Sequence, residues 1–181
     1  MRMFTGISLP LEIREEIDAF VARMSALVEG IKWVEVDNFH ITLRFLGKVE
    51  KERVPALCEG LKIAAVGKKP FLISLVTLGA FPSLRYPRVF WIGVDEGKEM
   101  VRSLHDDISD ELKKVGFDPE GKKFHPHVTI GRARKRASEN RLLPERTHIG
   151  AFTAKDFCLF KSTITKKGPI YDIIEKIEFK E

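Results

Sequence analysis

Residues 39–47 read Phe-His-Ile-Thr-Leu-Arg-Phe-Leu-Gly, and residues 126–132 read Pro-His-Val-Thr-Ile-Gly-Arg. Inside them His40-Ile41-Thr42-Leu43 and His127-Val128-Thr129-Ile130 repeat one pattern, histidine–apolar–threonine–apolar. Strict alternation is the period of a β-strand, whose side chains point to opposite faces in turn. Ile41 and Leu43 therefore point into a core while His40 and Thr42 face outward together, and Val128 and Ile130 stand likewise to His127 and Thr129. Two such matches arise by chance in on the order of one sequence in a thousand. The pair is accordingly read as a unit: two similar strands, each offering an imidazole and a hydroxyl to one cleft.

Working outward, each of these strands follows a helix. Ile13, Ile17, Phe20, Val21, Met24 and Leu27 recur at helical spacing after Pro10, predicting a helix that ends near Gly30. Met100, Val101, Leu104, Ile108, Leu112 and Val115 do the same over 97–115, and Val54, Leu57, Leu61 and Ala65 over 50–65. Helix plus His-x-Thr strand thus occurs at 10–46 and again at 97–132, a coarse internal duplication. Strands are expected at 3–9, 39–46, 71–78, 89–94, 127–132, 154–164 and 170–179, with a short extended piece at Trp33-Val34. Helices are too few and too grouped for a doubly wound parallel sheet. The expected class is α+β with antiparallel sheet, residues 1–181 forming a single two-lobed domain.

The chain has 181 residues, 44% of them hydrophobic and 31% charged, a balance able to bury a rigid core. No apolar run is long enough for a membrane helix and no secretory leader is visible at the N-terminus, so a cytoplasmic protein with no membrane partner is expected. Cys58 and Cys158 are read as core residues. A net charge of +5 favours a polyanionic partner. Glutamine is absent and only Asn38 and Asn140 represent asparagine, a composition that points to a thermophilic source.

Opposed histidines suit in-line displacement at phosphorus, where the nucleophile enters opposite the leaving oxygen. A base and an acid must then stand on opposite sides of the phosphate, and histidine serves as either near neutrality. Threonine hydroxyls on the same faces can donate to the non-bridging oxygens as charge builds there. Two other readings remain open on the residues alone: histidines that only orient loops, and a metal site. Ligand spacing is lacking around both motifs apart from His125, so no metal is expected.

The two motifs, with Trp33-Val34, Gly79-Ala80-Phe81-Pro82, Pro87-Arg88-Val89-Phe90-Trp91 and Arg132, resemble the two-histidine (2H) phosphoesterase superfamily. Within it the chain looks like the bacterial and archaeal RNA 2′,3′-cyclic phosphodiesterases, also called 2′-5′ RNA ligases. The likeness covers essentially the whole chain, and neither motif departs from the pattern. It implies two pseudo-symmetric lobes of antiparallel sheet with flanking helices around a central cleft. It implies cofactor-free opening of RNA 2′,3′-cyclic phosphate ends, tRNA fragments among them, to 2′-phosphates by a monomer, with 2′-5′ ligation as a reverse activity. His40 would be the acid to O3′ and His127 the base for water, with Thr42, Thr129 and Arg132 binding the phosphate. A 2H enzyme for a small nucleotide cyclic phosphate or a 2′-5′ oligonucleotide, and a non-catalytic RNA-binding module of the same fold, are the rival readings.

Phe45, Phe81, Phe90 and Trp91 are read as core aromatics. Arg44, two residues beyond Thr42, is expected to share its face. Arg132, Arg134, Lys135 and Arg136 are candidates for an RNA-backbone rim. His105 is read as structural and His125 as a support for His127, while His148 has no assigned role.

Overall fold

The computed structural model describes residues 1–83, 85–118, 121, 123–133, 147–166 and 168–180. Among these residues nine strands form one sheet: β1 (Arg2–Ser8), β2 (Ile31–Trp33), β3 (His40–Lys48), β4 (Phe71–Phe81), β5 (Val89–Val94), β6 (His127–Ala133), β7 (His148–Ala154), β8 (Asp156–Ile164) and β9 (Pro169–Glu178). Three α-helices accompany them: α1 (Leu11–Ser25), α2 (Val54–Ala64) and α3 (Lys98–Lys114). The strand order is β7-β4-β5-β6-β3-β1-β8-β9, and β2 pairs with the free stretch of β6. Every pairing of named strands is antiparallel. The α+β expectation holds, with the sheet divided into two halves of four strands that meet where β6 touches β3.

The predicted helices form with their apolar faces inward. Ile13, Ile17, Phe20 and Val21 are buried on α1, Leu57 and Leu61 on α2, and Val101, Leu104, Ile108 and Leu112 on α3. Helix α1 stops at Ser25 rather than near Gly30, leaving Leu27 exposed, and Met100 also faces solvent. Helix α1 packs against β7, where Gly150 admits the Ile13 side chain, whereas α2 and α3 pack on each other and α3 lies against β3. One strand escaped the sequence reading. Residues 148–154 form β7, separate from β8; its short run is mixed in polarity and its buried residues, Ile149, Phe152 and Ala154, do not alternate cleanly, so no strand period stands out. Cys58 and Cys158 are buried and free. Among the described residues no helix is long and apolar enough to cross a membrane.

The two histidine strands share one distortion. The burial pattern along β3 from His40 and along β6 from His127 is the same for seven residues: half-buried, buried, half-buried, buried, buried, exposed, half-buried. The ladder explains it. Between β1 and β3, Gly6 faces Thr42 and Thr5 faces Arg44, so Leu43 is an extra residue. Between β5 and β6, Trp91 faces Thr129 and Phe90 faces Gly131, so Ile130 is extra. A bulge reverses the parity of everything beyond it. Arg44 is therefore turned away from the cleft, contrary to the expectation, and Phe45 is turned toward solvent, 57% exposed rather than core. The same displacement turns Arg132 outward.

Arg44 is buried to 1% exposure on the helix side of the sheet. Its guanidinium donates to Ser109 O on α3 at 3.1 Å, to Phe117 O at 2.8 Å and to Asp118 O at 2.6 Å. It ties the strand of the first motif to the loop after α3, which leads to the second. A planar fork can satisfy carbonyls on two separate segments, and a lysine ammonium cannot reproduce that geometry. Arg44→Lys is expected to lower stability by about 2–4 kcal/mol, by leaving its part-buried carbonyl partners unpaired and a buried cation without its fork of hydrogen bonds. Urea unfolding should show this as a lower midpoint at unchanged m. A variant within about 0.5 kcal/mol of wild type would refute the role.

Candidate active site

The junction between the two half-sheets fixes the site. The register between β3 and β6 consists of Ile41 opposite Val128, both fully buried. One step along an antiparallel ladder in either direction sets His40 beside Thr129 and Thr42 beside His127. The four polar side chains then form a square on the cleft face, with the histidines on one diagonal and the threonines on the other. In a regular ladder the backbones of diagonal neighbours are roughly 7–8 Å apart, so both imidazoles rise from one small patch of the cleft face. The electrostatics agree, since a charge on His127 disfavours one on His40.

Each imidazole is oriented by the backbone two residues before it. His40 Nδ1 lies 2.7 Å from Asn38 O, and His127 Nδ1 lies 2.5 Å from His125 O. A carbonyl only accepts, so in both rings Nδ1 carries the proton and the neutral ring presents an unprotonated Nε2. Thr42 Oγ1 stands 2.8 Å from His40 Nε2 and donates to it. Asn38 is itself held from a distance, its side-chain amide donating to Pro169 O at 3.0 Å. His125 thus supports His127, as expected, but through its main-chain carbonyl.

Aromatic rings wall in both histidines. Phe4 packs on His40 at a centroid separation of 4.8 Å and Tyr171 meets it edge-on at 5.2 Å and 85°. Phe81 meets His127 edge-on at 5.1 Å and 82°, with Trp91 at 5.9 Å. Of the four aromatics expected in the core, Phe90 is fully buried, while Phe81 and Trp91 are half-buried beside His127. The indole of Trp91 lies across Gly79, where a Cβ would come within 2.2 Å of the ring. On the other half Gly6 lets β1 close on β3, since a Cβ there would sit 2.8 Å from Ile41 O.

Burial in this surround lowers both histidine pKa values. Desolvation takes His40 down to about 4, opposed by its bond to Asn38 O and reinforced by His127. Desolvation also lowers His127, opposed by its bond to His125 O and reinforced by the Arg132 charge. Both rings are therefore neutral at neutral pH. Arg132 is exposed on β6 and close enough to Tyr171 to lower that phenol's pKa, although burial leaves it raised on balance.

The structure thus brings His40, Thr42, His127 and Thr129 together, with Arg132 at the rim. Arg134, Lys135 and Arg136 lie outside the described residues. Tyr171 was missed by the sequence reading because it arrives on β9, more than a hundred residues after His40. His105 stacks on Phe124 at 4.0 Å, a structural role, and His148 is exposed on β7. Among the described residues no group of three or more His, Cys, Asp or Glu side chains is placed to hold a metal ion.

Comparison with known proteins follows the same division into halves. The family model described as LigT like Phosphoesterase matches residues 7–91 and again residues 92–171. An RNA 2′,3′-cyclic phosphodiesterase of Archaeoglobus fulgidus is 37% identical over 98% of this chain and 100% of its own length. One from Aeropyrum pernix is 38% identical over 87% of this chain and 96% of its own. Among solved structures, a Thermus thermophilus protein superposes with a TM-score of 0.86 at 26% identity, covering 99% of this chain and 98% of that one. E. coli LigT complexed with 3′-AMP gives 0.84 at 26% identity, with 99% and 98% coverage. With a matching family model over each half, and full-length relatives above 30% identity, the chain belongs to the LigT-like, two-histidine phosphoesterase family.

Proposed function

We propose that the protein hydrolyses RNA ends bearing a 2′,3′-cyclic phosphate to 2′-phosphates, using His40 and His127 and no metal. The observation that carries the reading is the square of His40, Thr42, His127 and Thr129 set by the Ile41–Val128 register, with each imidazole held through Nδ1 so that Nε2 is left for the reaction. The relatives named for this activity support the choice of substrate.

In this reading the cyclic phosphate lies between the diagonals. Its negative charge raises the pKa of the neighbouring imidazole and restores a proton to His40. His127 Nε2 takes a proton from water as the water oxygen bonds to phosphorus opposite O3′. The P–O3′ bond breaks, and His40 Nε2–H delivers its proton to O3′, leaving a 3′-hydroxyl and a 2′-phosphate. Thr42 and Thr129 donate to the non-bridging oxygens and Arg132 offsets their charge. Proton exchange with solvent then resets both rings. The leaving oxygen belongs to a strained five-membered ring, so protonation suffices without a Lewis acid.

RNA ending in a 2′,3′-cyclic phosphate should be converted to the 2′-phosphate in EDTA by the wild type. His40→Ala and His127→Ala should each lose roughly 10²–10⁴ in rate. Turnover abolished by EDTA, or unchanged in both variants, would refute the mechanism. The pH dependence gives a second check. Since both free-enzyme pKa values are lowered, the protonated acid becomes scarcer as pH rises, and kcat/KM should fall about tenfold per unit between pH 6.5 and 8. The alkaline limb of kcat should lie higher, because the bound anion favours the protonated ring. A flat kcat/KM across that interval would contradict the assignment.

A further inference from the structure

The flank of the site beyond His127 is built from α3 and the segment that enters β6. Lys98, Arg102 and His105 are spaced four and three residues apart, which places them on one side of α3. The segment 123–126 runs along that side. Phe124 stacks on the His105 ring at 4.0 Å and 3°, and Pro126 O accepts from Val94 N at 3.2 Å. Lys123 is thereby held next to α3, two residues from His125, whose carbonyl fixes His127. Lys98, Arg102 and Lys123 all lie close enough to His125 for their charges to depress its pKa, secondary to desolvation and the charge of His127. Among the described residues, Glu99 pairs with Arg102 at 2.6 Å and Asp106 with His105 at 2.9 Å.

We propose that this side of α3 is a lane for the RNA strand, Lys98, Arg102 and Lys123 contacting backbone phosphates several nucleotides 5′ of the terminal cyclic phosphate, whose own ribose lies with O3′ toward His40. The inference rests on the hydrolysis of cyclic phosphate ends proposed above, and extends it from the reacting group to the polymer behind it. Three flexible or fork-shaped cations leading away from one catalytic imidazole match a repeating anion better than a single small one. Such contacts carry no sequence information and position the strand. The lane thus accepts RNA of any sequence, and a mononucleotide does not reach it.

The test compares two substrates in one enzyme. For a ten-nucleotide RNA ending in a 2′,3′-cyclic phosphate, the triple variant Lys98→Gln/Arg102→Gln/Lys123→Gln should raise KM about tenfold or more, and the slope of log KM against log salt should fall by about 2. For cytidine 2′,3′-cyclic phosphate, kcat/KM should stay within about twofold of wild type. Lys113→Gln/Lys114→Gln, which removes two charges from the far end of the same helix, should leave the RNA KM unchanged. An unchanged RNA KM in the triple variant would overturn the lane, as it would if this side served a protein. Equal losses on both substrates would overturn it too, showing that the residues only support His127. A wild type inert on both would remove the hydrolytic reading, and the lane with it.

Discussion

The geometry of the whole site hangs on one buried contact between strands. Ile41 opposite Val128 is the register point at which the two half-sheets join. Both side chains are fully buried, so neither strand can slip without exposing its apolar face, since a one-residue slip inverts every side chain. The histidines lie next to this point and inherit its precision. A catalytic square whose corners come from strands far apart in the chain is thereby defined by the local geometry of one ladder.

Around that junction the structure uses the backbone more than side chains to set the chemistry. Carbonyls of Asn38 and His125 choose the tautomer of each ring. Bulges at Leu43 and Ile130 choose which side of the sheet the next residue meets. Arg44, sent to the helix side, binds β3 to the loop that feeds β6, so the two motifs are coupled through the core as well as across the cleft. The helices cross over: α1, which follows a strand of one half, packs on β7 in the other. No half is then able to move as a separate block without disturbing the helix lent to it.

Much of this was legible in the sequence. Period-2 alternation in the two histidine strands and period-3.6 spacing in the three helices are strong signals, and they located the motifs, the core faces and the α+β class. The bulges were not legible, because an extra residue in a strand leaves no mark in an apolar–polar pattern when both bulged positions are apolar or neutral. That one omission produced two linked errors, Arg44 placed in the cleft and Phe45 in the core. Strand β7 was missed for lack of a clean alternation at its half-exposed edge of the sheet. Tyr171 and the tie from Asn38 to Pro169 depend on a distant strand closing beside His40, and no local window contains that information.

The shared bulge has one more consequence. It brings residue 45 of the first strand and residue 132 of the second to equivalent outward positions, and there the halves differ: one presents a phenyl ring, the other a guanidinium. A half-turn maps His40 and Thr42 onto His127 and Thr129, but the walls already differ, Phe4 and Tyr171 lining one imidazole and Phe81 and Trp91 the other. A nucleotide is polar along its length, with a base toward one side of its phosphate and charge toward the other. The mismatch of Phe45 and Arg132 adds to that difference and gives the cleft a head and a tail, so that two similar motifs make a directional site.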